Sequence, residues 1–150
     1  DSGEIDLAAE IRGLIEYYEG WAEECGVALR LTGSAHVVGD RLLLQRALSN
    51  LLSNAIRHTP AGACVDIRLQ SLERSATIEV ANPGEPIPAD DLPRIFDRFY
   101  RVDPSRQRQG EGAGLGLAIV KSIIEVHGGT IEASSDAEST CIRITLPVFR

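Results

Sequence analysis

NLLSNAIRHT at Asn50 to Thr59, ANPGEPIP at Ala81 to Pro88 and GEGAGLGLAIV at Gly110 to Val120 are the stretches whose joint reading decides the fold. The first sets amide side chains on a helix. The second is a glycine turn after a strand. The third is a glycine-rich loop opening a helix, where backbone N–H groups can meet phosphate. In this order they read as one nucleotide pocket, although each alone has an ordinary explanation. Asn50 and Asn54 are four residues apart and share a helical face, with Leu44, Ala47, Leu51 and Leu52 at neighbouring positions available for burial.

The chemistry of each segment follows from its residue types. An Asn side-chain oxygen is a hard neutral ligand suited to Mg²⁺, which keeps several waters and takes other oxygens from substrate phosphates, so Asn54 is the candidate metal ligand. Arg57 and His58, a turn further on, are candidate phosphate donors. Asn82 closes the strand TIEV with Gly84 in the turn after it; its oxygen can accept from an adenine amino group and its amide can donate to a ring nitrogen. Without a ligand, Asn-Pro-Gly is simply a turn. Gly110, Gly112, Gly114 and Gly116 recur at every second residue before a helix, which lets backbone approach a pyrophosphate closely. No GK[ST] follows and no strand precedes, so this is neither a Walker loop nor a dinucleotide fingerprint.

Outward from these stretches, Ile5 to Cys25 repeats apolar residues with a spacing near 3.6 and predicts an amphipathic helix ended by Gly26. Val27 to Thr32 and Ala35 to Gly39 read as two β runs, and Gly33-Ser34 between them suits a tight hairpin. Asp40 is placed to cap a long helix to about Arg57, stopped by Pro60 and Gly62. Cys64 to Leu72 and Thr77 to Val80 alternate as half-buried strands, and Ala89 to Tyr100 predicts a helix with Pro93 in its first turn. The polar run from Arg101 to Gly114 reads as a long loop of the lid kind. A helix from Leu115 to the Gly128-Gly129 stop and strands at Thr130 to Ala133 and Cys141 to Pro147 complete the chain. Strands lying together with irregularly interspersed helices predict an α/β sandwich of the α+β class: one mixed, mostly antiparallel sheet with helices packed on a single face.

Composition sets the outer bounds. The 150 residues, 43% hydrophobic, suit a single domain over 1–150 with a real core. A formal net charge of −7 lacks the basic footprint for nucleic acid or an anionic membrane surface, so neither is an expected partner. Cys25, Cys64 and Cys141 are dispersed, with no CxxC, and read as reduced thiols in a cytosolic setting. No Cys/His cluster has metal-ligand spacing. The chain opens at Asp1 and contains no Met, which is the expectation for a piece of a longer protein.

NLLSNAIRHTP resembles the N box, ANPGEPIP the first glycine box, IFDRFYR the F box and GEGAGLGLAIV the second glycine box of the ATP-binding catalytic domain of bacterial sensor histidine kinases. Within that family, FDRFYRVDPSRQRQGEGAGLGLAIVKSI and ALSNLLSNAIRHTPAG most resemble the heavy-metal sensors that respond to copper or silver. The resemblance implies a Bergerat-type fold, shared with gyrase, and ATP with Mg²⁺ as cofactors. It implies that Asn54 holds Mg²⁺, with Asn50 beside it and Arg57 where the family usually has Lys, these three forming the catalytic set. His58 joins Asn54 and Arg57 in contacting the cofactor. Asn82 stands where most members have an adenine-reading Asp, and Pro86 replaces the usual second glycine; the Asn keeps an acceptor for the adenine amino group. Gly84, Ile87 and Thr140 are further cofactor-binding positions, with Ser139 where a glycine is common before Thr140.

By the same resemblance, Phe96, Phe99 and Tyr100 pack at the base of the lid and Arg106 and Arg108 reach phosphate from within it. Gly112, Gly114, Leu115, Gly116 and Leu117 line the phosphates at the second glycine box. In hydrolytic relatives a Glu four residues before the metal-binding Asn is the base for water; Asn50 cannot take that proton, which favours transfer over hydrolysis. The acceptor histidine is expected on a dimerisation domain outside this chain, and the response regulator is reached through the intact kinase. His58-Thr-Pro lies inside the N box, and His36 and His127 read as strand and helix-end residues. The implied location is the cytoplasmic part of an inner-membrane protein, with no membrane contact by this segment. Two other functions remain on the same fold: a nucleotide-responsive docking module with weakened catalysis, and a serine kinase of the anti-sigma type.

Overall fold

A computed structural model describes residues 2–97 and 116–148. The chain runs β1 (Ser2–Asp6), α1 (Leu7–Glu24), β2 (Ala28–Thr32), β3 (His36–Asp40), α2 (Arg41–His58), β4 (Cys64–Ser71) and β5 (Ser75–Asn82). A short 3₁₀ turn at Leu92–Arg94 follows, then α3 (Gly116–Val126), β6 (Thr130–Ser135) and β7 (Thr140–Pro147). Five strands form one sheet in the order β2-β4-β5-β7-β6; β2 and β4 are parallel and every other pair antiparallel. β1 and β3 form a separate antiparallel ribbon. This is the mixed, mostly antiparallel sandwich that the sequence predicts.

Period-2 alternation gives the sheet two unlike faces. On the inner face, Leu69, Ile67 and Val65 of β4 lie beside Ile78 and Val80 of β5 and Ile144 and Ile142 of β7, all buried against the helices. Leu7, Ile11 and Leu14 of α1, Leu44, Leu48, Leu51 and Leu52 of α2, and Val120, Ile123 and Ile124 of α3 close the core from the other side. Each fully buried aliphatic side chain contributes about 1.5–3 kcal/mol over its exposed state. On the outer face the register aligns Arg68, Glu79, Arg143 and Glu132 across four strands, so charges alternate in sign along the row. Opposite neighbours of this kind favour the observed register by a fraction of a kcal/mol each, about 0.2–1.

α2 begins as the capping pattern predicts, and α1, for which no cap was predicted, begins in the same way. Asp6 accepts from the Ala9 amide at 3.2 Å and Asp40 from the Leu43 amide at 3.1 Å, each satisfying a first-turn N–H that the helix cannot. His127, just past α3, ties the far end of that helix to the start of α2: its Nε2 accepts from the Asp40 amide at 3.0 Å while Nδ1 faces the Ile123 carbonyl at 2.8 Å. The first contact requires Nε2 to be unprotonated, so Nδ1 carries the hydrogen.

Three local expectations are corrected. The Gly33-Ser34 hairpin does not form: β2 pairs in parallel with β4, and β3 leaves to pair with β1. Gly33 has φ +86° and sits so close to the end of β4 that a Cβ would collide with the Leu69 carbonyl, so the glycine serves that crossing instead of a two-residue turn. Ile5 and Asp6, predicted as the start of the first helix, belong instead to a strand, Ser2–Asp6, because its partner β3 lies thirty or more residues away and leaves no local signal. The helix predicted from Ala89 reduces, within the described residues, to successive turns closed by the Asp91, Arg94 and Asp97 amides. Pro93 donates no hydrogen bond, and Ile95 and Phe96 anchor the segment as an adjacent buried pair without a helical stripe.

Candidate functional site

The inner face of the sheet changes character at one end. Rows Ile78–Ile144–Ile131 and Val80–Ile142–Ala133 are apolar; the next row in the same phase is Asn82–Thr140–Ser135. Three polar side chains therefore meet where the apolar face stops. Thr140 pairs in register with Asn82 on one side and Ser135 on the other. Its hydroxyl is 2.8 Å from that of Ser135, and Ser135 Oγ also accepts from the Ile87 amide at 2.9 Å. These contacts bring the predicted residues Asn82, Ile87 and Thr140 together. Ser135 was missed, because its place in the row depends on the β6–β7 register and no local motif marks it.

One helix end borders this row through the turn after β5, and the start of a second helix meets the first. The turn after β5 rests on the end of α2: Gly84 has φ +152°, and a Cβ there would lie 2.8 Å from the His58 carbonyl. The N-terminal end of α3 reaches the middle of α2, where Asn50 Nδ2 approaches the Gly116 carbonyl at 3.4 Å, a long contact for a hydrogen bond. Asn50 and Asn54 are half-buried on α2, Leu117 is half-buried against the core, and Gly116 is exposed. The Asn54 side chain makes no hydrogen bond among the described residues. Asn82 Nδ2 donates to the Pro83 carbonyl at 3.1 Å, and the side-chain oxygen accepts no hydrogen bond among the described residues.

Arg57 is placed differently from the sequence expectation. Its guanidinium carbon lies 5.9 Å from the centroid of the Trp21 ring on α1, within cation–π range, so reaching a phosphate requires it to leave that ring. His58 is exposed at the last position of α2. Phe99, Tyr100, Arg106, Arg108, Gly112, Gly114 and Leu115 lie outside the described residues, as does Gly110.

The hairpin that carries Ser135 and Thr140 is closed by Asp136, whose carboxylate accepts from the Ser139 and Glu138 amides at 2.9 and 2.8 Å. Those two backbone bonds hold its carboxyl below the usual carboxylate range. Cys141, next to Thr140 but on the outer face, has its thiol pushed up by burial first and by Glu79 second, with Arg68 and Arg143 opposing. Among the described residues, no group of three or more His, Cys, Asp or Glu side chains could hold a metal ion. The donor set suits a divalent cation arriving with its own phosphate and water oxygens better than one held by protein ligands alone. No helix among the described residues is long and apolar enough to cross a membrane.

Comparisons with known proteins identify the family. The family model described as histidine kinase-, DNA gyrase B- and HSP90-like ATPase matches residues 39–150. Sensor histidine kinase CusS of Escherichia coli strain K12 is 54% identical over 144 residues, which is 95% of this chain and 30% of CusS. The probable sensor kinase SilS of Salmonella typhimurium is 51% identical over 74% of this chain and 22% of its own length. The chain thus spans less than a third of these curated relatives. Among solved structures, the mycobacterial sensor histidine kinase MprB matches at TM-score 0.83 and 29% identity, covering 98% of this chain and 97% of that one. The nucleotide-free catalytic domain of histidine kinase ThkA matches at TM-score 0.85 and 25% identity over the same shares. The chain belongs to the histidine kinase-, DNA gyrase B- and HSP90-like ATPase family, as an ATPase domain of the sensor histidine kinase kind.

Proposed function

We propose that this chain, as one domain over residues 1–150, binds ATP with Mg²⁺ and presents its γ-phosphoryl to a histidine on the dimerisation domain of the same kinase, in a copper- or silver-responsive pathway. The observation that supports it best is the polar row Asn82–Thr140–Ser135 at the end of the sheet, followed by a turn that rests on the end of α2 at His58. The Asn82 oxygen accepts from the adenine amino group, and Thr140 and Ile87 bound the base. Amide N–H groups in the first turn of α3 are unpaired within the helix and face the phosphates with the positive end of its dipole. Asn54 supplies one neutral oxygen to Mg²⁺; the bound cation offsets charge on the phosphates. Arg57 swings from Trp21 to join them, and His58 donates from the end of α2.

An amide at position 50 takes up no proton from water, so the chain holds the nucleotide without a general base at that place. Asn50 instead steadies the start of α3 through the Gly116 carbonyl. Positioning and electrostatics supply the catalysis, and transfer waits for the acceptor side chain. The copper and silver assignment rests on the resemblance of FDRFYRVDPSRQRQGEGAGLGLAIVKSI and ALSNLLSNAIRHTPAG to heavy-metal sensors, and the response regulator is reached through the intact kinase. The domain works on the cytoplasmic side of the inner membrane.

Calorimetric titration with ATP and Mg²⁺, repeated with GTP, tests the reading. Saturable ATP binding, with GTP much weaker and Asn54→Ala abolishing the Mg²⁺-dependent part without loss of fold, is the expected result. Supplying the dimerisation domain in trans should then label its histidine. Absence of ATP binding by the wild-type chain would leave a docking domain and reject the catalytic assignment.

A further inference from the structure

The geometry points to Ser135 as a positioning residue that sets base selectivity, an inference that rests on the nucleotide reading above. Ser135 is the last residue of β6, and its hydroxyl joins two parts of the base end, the loop at Ile87 and the strand at Thr140. It accepts from the Ile87 amide at 2.9 Å and lies 2.8 Å from the Thr140 hydroxyl. Ile87 belongs to the segment Pro83 to Pro88, in which three of six residues are prolines without an N–H. Such a segment has few ways to hold itself to the sheet, and the Ile87 amide is one of three available. Ser135 therefore fixes the distance between this loop and the strand that bears Thr140.

The same hydroxyl orders a proton. With one Ser135 lone pair occupied by the Ile87 N–H, its own hydrogen is free to point at Thr140 Oγ1. Either hydroxyl can donate in the 2.8 Å contact; with Ser135 assigned as donor to Thr140, the Thr140 hydrogen is directed away from Ser135. Thr140 is the cross-strand partner of Asn82, whose oxygen is the acceptor. The pair offers one acceptor and one donor side by side, the pattern adenine presents in complement at its amino group and adjacent ring nitrogen; guanine presents a carbonyl and an N–H there instead.

The test compares wild type, Ser135→Ala and Ser135→Thr by titration with ATP, ADP and GTP in Mg²⁺, with urea unfolding alongside. Removing the hydroxyl should weaken ATP about tenfold, the size expected from two modest hydrogen bonds. It should lower the ATP-to-GTP preference and leave the ATP-to-ADP ratio unchanged, since the phosphates lie elsewhere. Ser135→Thr keeps the hydroxyl and should restore the preference. A merely structural role would move the urea midpoint and weaken both bases alike, which overturns the inference. Wild-type selectivity in Ser135→Ala overturns it alone, whereas absence of ATP binding by the wild-type chain overturns the nucleotide reading and this inference with it.

Discussion

Gly84→Ala probes how the turn after β5 is held to α2. Gly84 has φ +152°, where an L side chain is strained, and its added Cβ would stand 2.8 Å from the His58 carbonyl. That carbonyl cannot retreat easily: the same helix end is tied by the buried Thr59 hydroxyl, which donates to the Ala55 carbonyl at 2.6 Å. The turn must move instead, taking Asn82 and Ile87 with it. Gly62→Ala is the matched control, because Gly62 has φ +90° with nothing within 4 Å of a new Cβ. Gly62→Ala then reports the backbone strain alone, about 1–2 kcal/mol. Gly84→Ala adds an overpacking contribution of about 1 kcal/mol or more, for a total of about 2–4 kcal/mol. At roughly 3 °C per kcal/mol for a chain of this size, the two variants should differ visibly in a thermal melt. Urea unfolding and ATP titration of both variants check the reasoning. Gly84→Ala should bind ATP severalfold more weakly than Gly62→Ala. Equal destabilisation of the two together with unchanged ATP affinity would refute the claim that the His58 contact seats the base end of the site.

His127→Ala removes the acceptor of the Asp40 amide far from the site, and should cost about 1–2 kcal/mol in urea unfolding while ATP affinity stays at the wild-type value. Asp136 has a carboxyl held low by the Ser139 and Glu138 amides, so its contribution is complete above the ordinary carboxylate pKa of about 4 and is lost as pH falls through the lower folded value. Amide protection factors at Glu138 and Ser139, taken relative to the intrinsic base-catalysed rate at each pH, should therefore fall only below that range, and protection lost between pH 5 and 7 would contradict the assignment. Cys141 has a raised thiol pKa, from burial and then Glu79, so iodoacetamide should alkylate it more slowly than a free cysteine at pH 8. Its rate should keep rising toward higher pH, and full reactivity near neutrality would contradict the burial.

Local signals were sufficient wherever one helix or one strand buries its own face. Asp40 before Leu44, Ala47, Leu48 and Leu51 specifies α2 by capping and period, and the structure buries those residues with Asp40 as the cap. The alternation in β4, β5 and β7 is likewise legible without knowing any partner. The three glycine- and asparagine-bearing stretches identified the family because their residue types and order are unusual together, and residues 39–150 match it.

Tertiary structure decided what depends on partners remote in sequence. A Gly-Ser dipeptide between two β runs favours a hairpin locally, yet burying Leu29 and Leu31 beside β4 and Val37 beside Ile5 is worth more than closing a turn, so β2 and β3 part. The same applies to Ser135, whose neighbours Thr140 and Ile87 are set by strand register and by a proline-rich loop folding back some fifty residues away. Arg57 has the right helical position for phosphate, but the aromatic ring of Trp21 on another helix determines where its side chain rests. Sequence alone determined α2 with its Asp40 cap, the body of α1 and α3, the strands of the main sheet and the chemical types at the site, because capping and periodicity act over a few residues. Only the packed sheet decided which of those side chains meet, because register and helix docking are settled by burial summed over the whole core.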